Sequence, residues 1–221
     1  MKEQTIMLAG GTGLVGSHCL KFLQDAAFCK HIKVVTRKPV PVIESFSKAR
    51  QFLVDFDNPE TLKQAGTCDA VICAMGTTIK KAGSPEAFKK VDFTYCLEVA
   101  RAGLAGGARH FLLVTAMGSS PRSKIFYNRI KGELEQAVMA LGFPCVSVFR
   151  PSLILGAREE SRSGEELGRL FSRMFGFAIP AKYKAIQAAD IARAIVGQAA
   201  ECRDFSQIFE SHEIRALGQE A

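Results

Sequence analysis

Tyr127 and Lys131 are the residues of this chain whose types and spacing point most directly to proton chemistry. A phenol, with a reference pKa near ~10, is a poor proton donor or acceptor at neutral pH, and a nearby ammonium lowers that value while keeping donors free for a ribose hydroxyl. The i, i+4 spacing puts both side chains on one helical face. Of the three tyrosines, Tyr127 alone has lysine at that offset. An ordinary surface pair would show the same spacing, so the setting carries the inference: the pair lies on a helix-periodic stretch just after an apolar strand. A hydroxyl is also needed to orient a substrate carbonyl. Thr115, at the end of that strand, is the first choice and Ser119 the second, although either would serve equally well as a turn hydroxyl capping local backbone.

A second constellation is Gly11-x-Gly13-x-x-Gly16, which can also be read as Gly10-x-x-Gly13-x-x-Gly16. Glycines at these points permit a tight turn out of a strand, close approach of pyrophosphate to the backbone, and a helix start that packs on the strand. The helix N-terminus then aims free N–H groups and its positive dipole end at the phosphates. A bare glycine pattern is a weak signal, but here it follows the first strand directly and opens the first helix. NAD-binding turns place Asp or Glu at the end of the second strand. This chain has Thr36-Arg37-Lys38 there, two cations suited to a 2′-phosphate, so the expected cofactor is NADP(H).

These residues need elements to position them. Apolar runs predict strands at Thr5 to Ala9, Ile32 to Thr36, Gln51 to Val54, Ala70 to Cys73, His110 to Val114 and Cys145 to Phe149. Helical periodicity predicts a helix from the glycine turn to about Ala27, a long one over Pro85 to Ala105, and others over Lys124 to Leu141, Glu165 to Phe175 and Ala188 to Ala200. The segment from Gly156 to Gly164 reads as a charged loop, and the tail after Cys202 as a short helix. The strands are apolar along their whole length, as burial on both faces of a parallel sheet requires. Alternation with helices then gives an α/β, Rossmann-type doubly wound sheet in a single domain, its core at about 4–156 and a short helical and loop elaboration at about 157–221.

The chain has 221 residues, 48% hydrophobic and 23% charged, with a mean hydropathy of +0.09, which excludes disordered and collagen-like classes. Its seven cysteines are scattered and odd in number, without a signal peptide, so a reducing cytosol is expected. The four histidines share no ligand spacing with them, and no metal is predicted. The most apolar stretch, Ala137 to Val148, is broken by Gly142 and Pro144 and is too short to span a membrane. A net charge of +7 favours anionic partners, but without an aromatic-interleaved basic stripe nucleic acid is not expected.

From Ile6 to Ile195 the residues resemble the atypical branch of the short-chain dehydrogenase/reductase superfamily, in particular the Tat-interacting oxidoreductase (metastasis suppressor) family and its bacterial relatives. The resemblance rests on Cys73-Ala-Met-Gly-Thr-Thr78, Lys81-Ala-Gly83, Val91-Asp92, Phe126-Tyr127, Lys131-Gly-Glu133, Phe149-Arg-Pro151, Arg158-Glu-Glu-Ser-Arg162 and Gly164-Glu165, all in order. It implies that Thr12, Gly13, Leu14 and Val15 hold the pyrophosphate, Arg37 and Lys38 the adenosine phosphate, and Asp55 and Phe56 the adenine side. Met75 and Gly76 would form the strand-four edge, Tyr127 and Lys131 would lie at the nicotinamide, and Ile154 and Arg162 would close over it. Where the superfamily places its active-site serine, this chain reads Thr115-Ala116-Met117-Gly118. The expected function is oxidoreduction of a small carbonyl compound. The alternative is an NADPH-binding regulatory or redox-sensing protein in which the region from Ala157 to Phe177 fills the substrate space. A homodimer or a protein partner is left open.

Overall fold

The computed structural model describes residues 3–156, 184–202 and 204–220. Six strands follow one another toward the site: β1 (Gln4–Ala9), β2 (Cys29–Thr36), β3 (Ala49–Leu53), β4 (Ala70–Cys73), β5 (His110–Val114) and β6 (Cys145–Arg150). With β9 (Gln207–Glu210) they form a seven-stranded sheet in the order β3-β2-β1-β4-β5-β6-β9, and every pairing is parallel. The order reverses between β1 and β4, which opens the crevice where ligands bind in such sheets. A separate two-stranded sheet pairs β7 (Ile154–Leu155) with β8 (Ile186–Gln187).

Apolar layers lie on both faces. On one face Val15, Cys19, Leu20 and Leu23 of α1 (Leu14–Asp25) share a core with Ile191 and Ile195 of α6 (Ala188–Ala199) and Ile214 of α7 (Ser211–Glu220). On the other, Cys96, Val99 and Ala100 of α4 (Cys96–Ala105) pack with Leu134 and Val138 of α5 (Phe126–Met139) against Phe111 and Leu113. Each fully buried leucine or phenylalanine contributes about 1.5–3 kcal/mol, so the two layers hold the strand ends in place. Gly132 lets α5 approach the 120–121 backbone closely, since a Cβ there would lie within 2.2 Å of the Ser120 carbonyl carbon.

The doubly wound parallel sheet agrees with the sequence reading, and several elements differ. The expected helix over Pro85 to Ala105 is a continuous rod interrupted by a wider turn: α3 (Pro85–Lys89), a π-helical segment at Lys90–Tyr95, then α4. A short α2 (Ile79–Ala82) precedes it. The tail supplies a strand, β9, as well as a helix, because Ile208 and Phe209 find apolar partners only once β6 is in place. The expected helix over Glu165 to Phe175 lies outside the described residues. No helix among the described residues is long and apolar enough to cross a membrane.

Candidate active site

The glycine turn leaves β1 at Gly10, whose φ of +84 favours glycine and whose added Cβ would strike the Ala74 carbonyl carbon at 2.6 Å. The turn closes with Gly13 N–H donating to Gly10 O at 2.8 Å. Gly16, in the first turn of α1, has no room at all: a Cβ would sit 2.1 Å from Gly10 O. Gly13 differs, because its Cβ would meet Gly10 O at 3.2 Å and otherwise little of the protein, a cradle open on its outer side. Gly13, the N-cap of α1, makes no side-chain cap, and among the described residues no side chain takes the first-turn N–H groups. An uncapped helix start with an open cradle fits a pyrophosphate. Thr12 is exposed, Leu14 half-buried against Gly156, and Val15 lies in the core, so Val15 can offer only its backbone.

Lys131 comes to this crevice from α5. Its Nζ lies 2.7 Å from Asp92 Oδ1, both side chains almost wholly buried, and a Cβ on exposed Gly76 would be 3.5 Å from that nitrogen. Asp92 is presented by the π-helical segment, and its Oδ2 accepts from Thr77 N at 2.8 Å, which ties the backbone after β4 to the pair. Burial alone would depress the Lys131 ammonium. The Asp92 carboxylate, helped by Tyr127 and Cys96, outweighs burial and raises it above the ordinary lysine value. Lys131 therefore stays a cation and cannot be the group that gives up a proton. Tyr127 is half-buried one turn earlier, its ring 5.4 Å from that of Phe88.

Other expected residues separate into groups. Met75 and Ile154 are half-buried at the same carboxyl edge. Arg37 and Lys38 are exposed just beyond β2 on a turn pinned by Gln51, whose Nε2 donates to Thr36 Oγ1 at 2.5 Å and Lys38 O at 2.8 Å. Among the described residues neither cation has an ion-pair partner. Asp55 is exposed, whereas Phe56 is taken into the core with its ring 5.3 Å from that of Tyr95, so its side chain is not offered to an adenine. Arg162 lies outside the described residues.

Thr115, expected to orient the substrate, has its hydroxyl engaged inside the protein. Its hydroxyl donates to Glu135 Oε1 at 2.6 Å, and Glu135 is paired with Arg150, Nη2 to Oε2 at 2.5 Å. Arg150 reaches on to Glu210 at 3.1 Å, and the hydrogen bond with Glu135 holds its guanidinium pKa above the ordinary arginine value. A hydroxyl has one proton, and this one is engaged in tying β5, β6 and β9 to α5. Ser119, the second choice, donates to Ala116 O at 2.6 Å. Asp92, in contrast, is a site residue that reading for chemistry passed over. An acid on the buried helix stripe of Phe88, Cys96 and Val99 was the available signal, but spacing alone does not name Lys131 as its partner.

A doubly wound parallel sheet with a glycine cradle at its switch point defines a Rossmann-type nucleotide-binding fold, and the Tyr127–Lys131 pair stands on its following edge. Comparison with known proteins agrees. Residues 10–140 match the model of an NAD(P)H-binding family. The chain is 35% identical over 188 residues to Protein HTATIP2 of Rattus norvegicus, covering 81% of this chain and 77% of that one. It is 36% identical over 173 residues to Protein FMP52, mitochondrial, of Candida albicans, covering 76% and 74%. Among solved structures, the Bordetella bronchiseptica enzyme WbmH in complex with NAD+ matches with a TM-score of 0.73 at 14% identity, over 98% of this chain and 80% of that one. The enzyme WbmG of the same organism, in complex with NAD and UDP, matches at 0.72 and 13%, over 99% and 78%. The chain belongs to the NAD(P)H-binding atypical short-chain dehydrogenase/reductase family that includes HTATIP2.

Proposed function

We propose that the protein is an NADP(H)-dependent oxidoreductase acting on a small carbonyl compound. The observation that carries this reading is the buried Lys131 ammonium, fixed by Asp92 between the Gly76 edge and the Tyr127 turn of α5. When bound, the dinucleotide supplies or accepts hydride. The chain's own residues do the rest. Backbone N–H groups of the Gly10–Gly16 turn, including those of Thr12, Leu14 and Val15, would hold the pyrophosphate; Arg37 and Lys38 would take the 2′-phosphate. Asp55, Met75, Gly76 and Ile154 would line the nucleotide, and Arg162 is assigned to the same site by family resemblance. The Tyr127 hydroxyl would give its proton to the substrate oxygen, and Lys131, held as a cation, would stabilise the phenolate left behind and bind ribose.

A charge-assisted hydrogen bond contributes about 1.5–3 kcal/mol, so binding of NADPH should exceed that of NADH by at least about tenfold. Titration calorimetry tests this, and comparable dissociation constants would reject the NADP(H) assignment. The engaged protons of Thr115 and Ser119 favour one second reading, a regulatory protein that binds NADPH with little or no turnover. Tight NADPH binding with no oxidation across a panel of carbonyl compounds would select it. All seven cysteines are free, which suits a reducing compartment, and the cytosol is our reading.

A further inference from the structure

The β2–β3 edge carries a charge arrangement that the cofactor site does not use. Lys33 and Arg50 are register partners on adjacent parallel strands, which run about 4.8 Å apart. Like charges placed directly across a strand pair are destabilising unless something offsets them. Lys33 Nζ donates to Ala65 O and Thr67 O, both at 2.6 Å, and Lys48 Nζ to Ala26 O at 2.9 Å. Neutral carbonyls fix these ammonium groups without cancelling their charge. The Arg50 guanidinium lies 5.3 Å over the Phe52 ring. The nearby Glu3 is paired with Lys30 at 2.7 Å, and Asp69 Oδ2 accepts from Thr5 N at 2.8 Å.

These cations line an open hollow of 540 Å³, together with His31, Phe52, Gln64 and the 65–67 segment, and among the described residues none of its lining is acidic. That volume is in the range of small-molecule sites. The only helical element between β3 and β4 is a seven-residue 3₁₀ turn, Pro59–Ala65, shorter than the crossover helix that would cover this edge. The hollow lies toward the amino ends of β2 and β3: Lys33 is three residues, about 10 Å of strand, from the carboxyl end at Thr36. We propose that this hollow is a second anion site, separate from the dinucleotide crevice, that takes a small soluble compound bearing two or more phosphate charges.

The test is a residue-resolved NMR titration of the whole protein with sodium pyrophosphate at constant ionic strength, with saturating NADPH present. Saturable shifts are expected at His31, Lys33, Arg50 and Thr67. Replacing Lys48→Ser and Arg50→Ser together should weaken pyrophosphate at least about tenfold, and the exposed Arg50→Ser alone about threefold, equivalent to about 0.7 kcal/mol. Shifts confined to the Gly10–Val15 turn, absence of saturation, or affinity unchanged by the replacements would overturn the proposal. The readout is the position of the shifts, so a failure of NADPH to bind would appear at the glycine turn and not at the β2–β3 edge.

Discussion

Helix α5 carries two buried ion pairs one turn apart, Lys131 with Asp92 and Glu135 with Arg150, and they are finished differently. The Glu135 pair is closed: Oε1 accepts from Thr115 and from Arg150 Nε at 3.1 Å, Oε2 accepts from Arg150 Nη2, and Arg150 passes its remaining reach to Glu210. Among the described residues, the Lys131 pair is left open on one side. Asp92 is held by Lys131 and Thr77 N, while Lys131 borders exposed Gly76 and half-buried Tyr127. Burial and charge alone therefore do not distinguish a site from a strut. What distinguishes them is whether donors remain after the protein has satisfied itself.

The largest expected effect falls on the open side. Tyr127→Phe should lower carbonyl reduction by about 10²–10⁴, the usual contribution of a positioned acid, while calorimetric NADPH affinity stays within about twofold. Unchanged turnover would take Tyr127 out of the mechanism. On the closed side, Glu135→Ala leaves Arg150 without its principal partner and should cost about 3–5 kcal/mol of unfolding free energy in urea. A loss below about 1 kcal/mol would mean that the closed pair is not the strut described here. Arg37→Ala, outside both pairs, should weaken NADPH at least about tenfold and NADH little, because it removes one charge-assisted contact to the 2′-phosphate. The smallest effect sharpens the division: Thr115→Ser keeps the donor to Glu135 and loses one buried methyl, so stability should fall by only about 1 kcal/mol and turnover should hold. Faster turnover in that variant would return Thr115 to the substrate side.

The sheet was legible because β1, β4, β5 and β6 are apolar over most of their length and are followed by punctuation, whereas β2 and β3 carry Lys33 and Arg50 and show an apolar run only toward their carboxyl ends. Strand β9 was not, since Gln207 to Glu210 has only two apolar residues and acquires its meaning from β6. The glycine turn and the Tyr127–Lys131 pair could be read because local spacing encodes them. Asp92 could not, because helical spacing puts it on the buried stripe with Phe88, Cys96 and Val99 but does not show that its partner is Lys131, on another helix. The engagement of Thr115 was hidden for another reason: its acceptor lies 20 residues away on α5, a contact that no local pattern announces. Similarly, the core position of Phe56 depends on Tyr95, brought in by the π-helical segment.

The claim that the Gly10–Gly16 turn is the cofactor cradle is tested most directly by NADPH titration of Gly13→Val. Its Cβ would press on Gly10 O at 3.2 Å, a tight contact that a shift of a few tenths of an ångström relieves, and would occupy the side on which pyrophosphate must approach. The account predicts a folded variant, with circular dichroism and a cooperative melt like the parent's, and no measurable NADPH binding. A folded Gly13→Val protein that binds NADPH as tightly as the parent would contradict it.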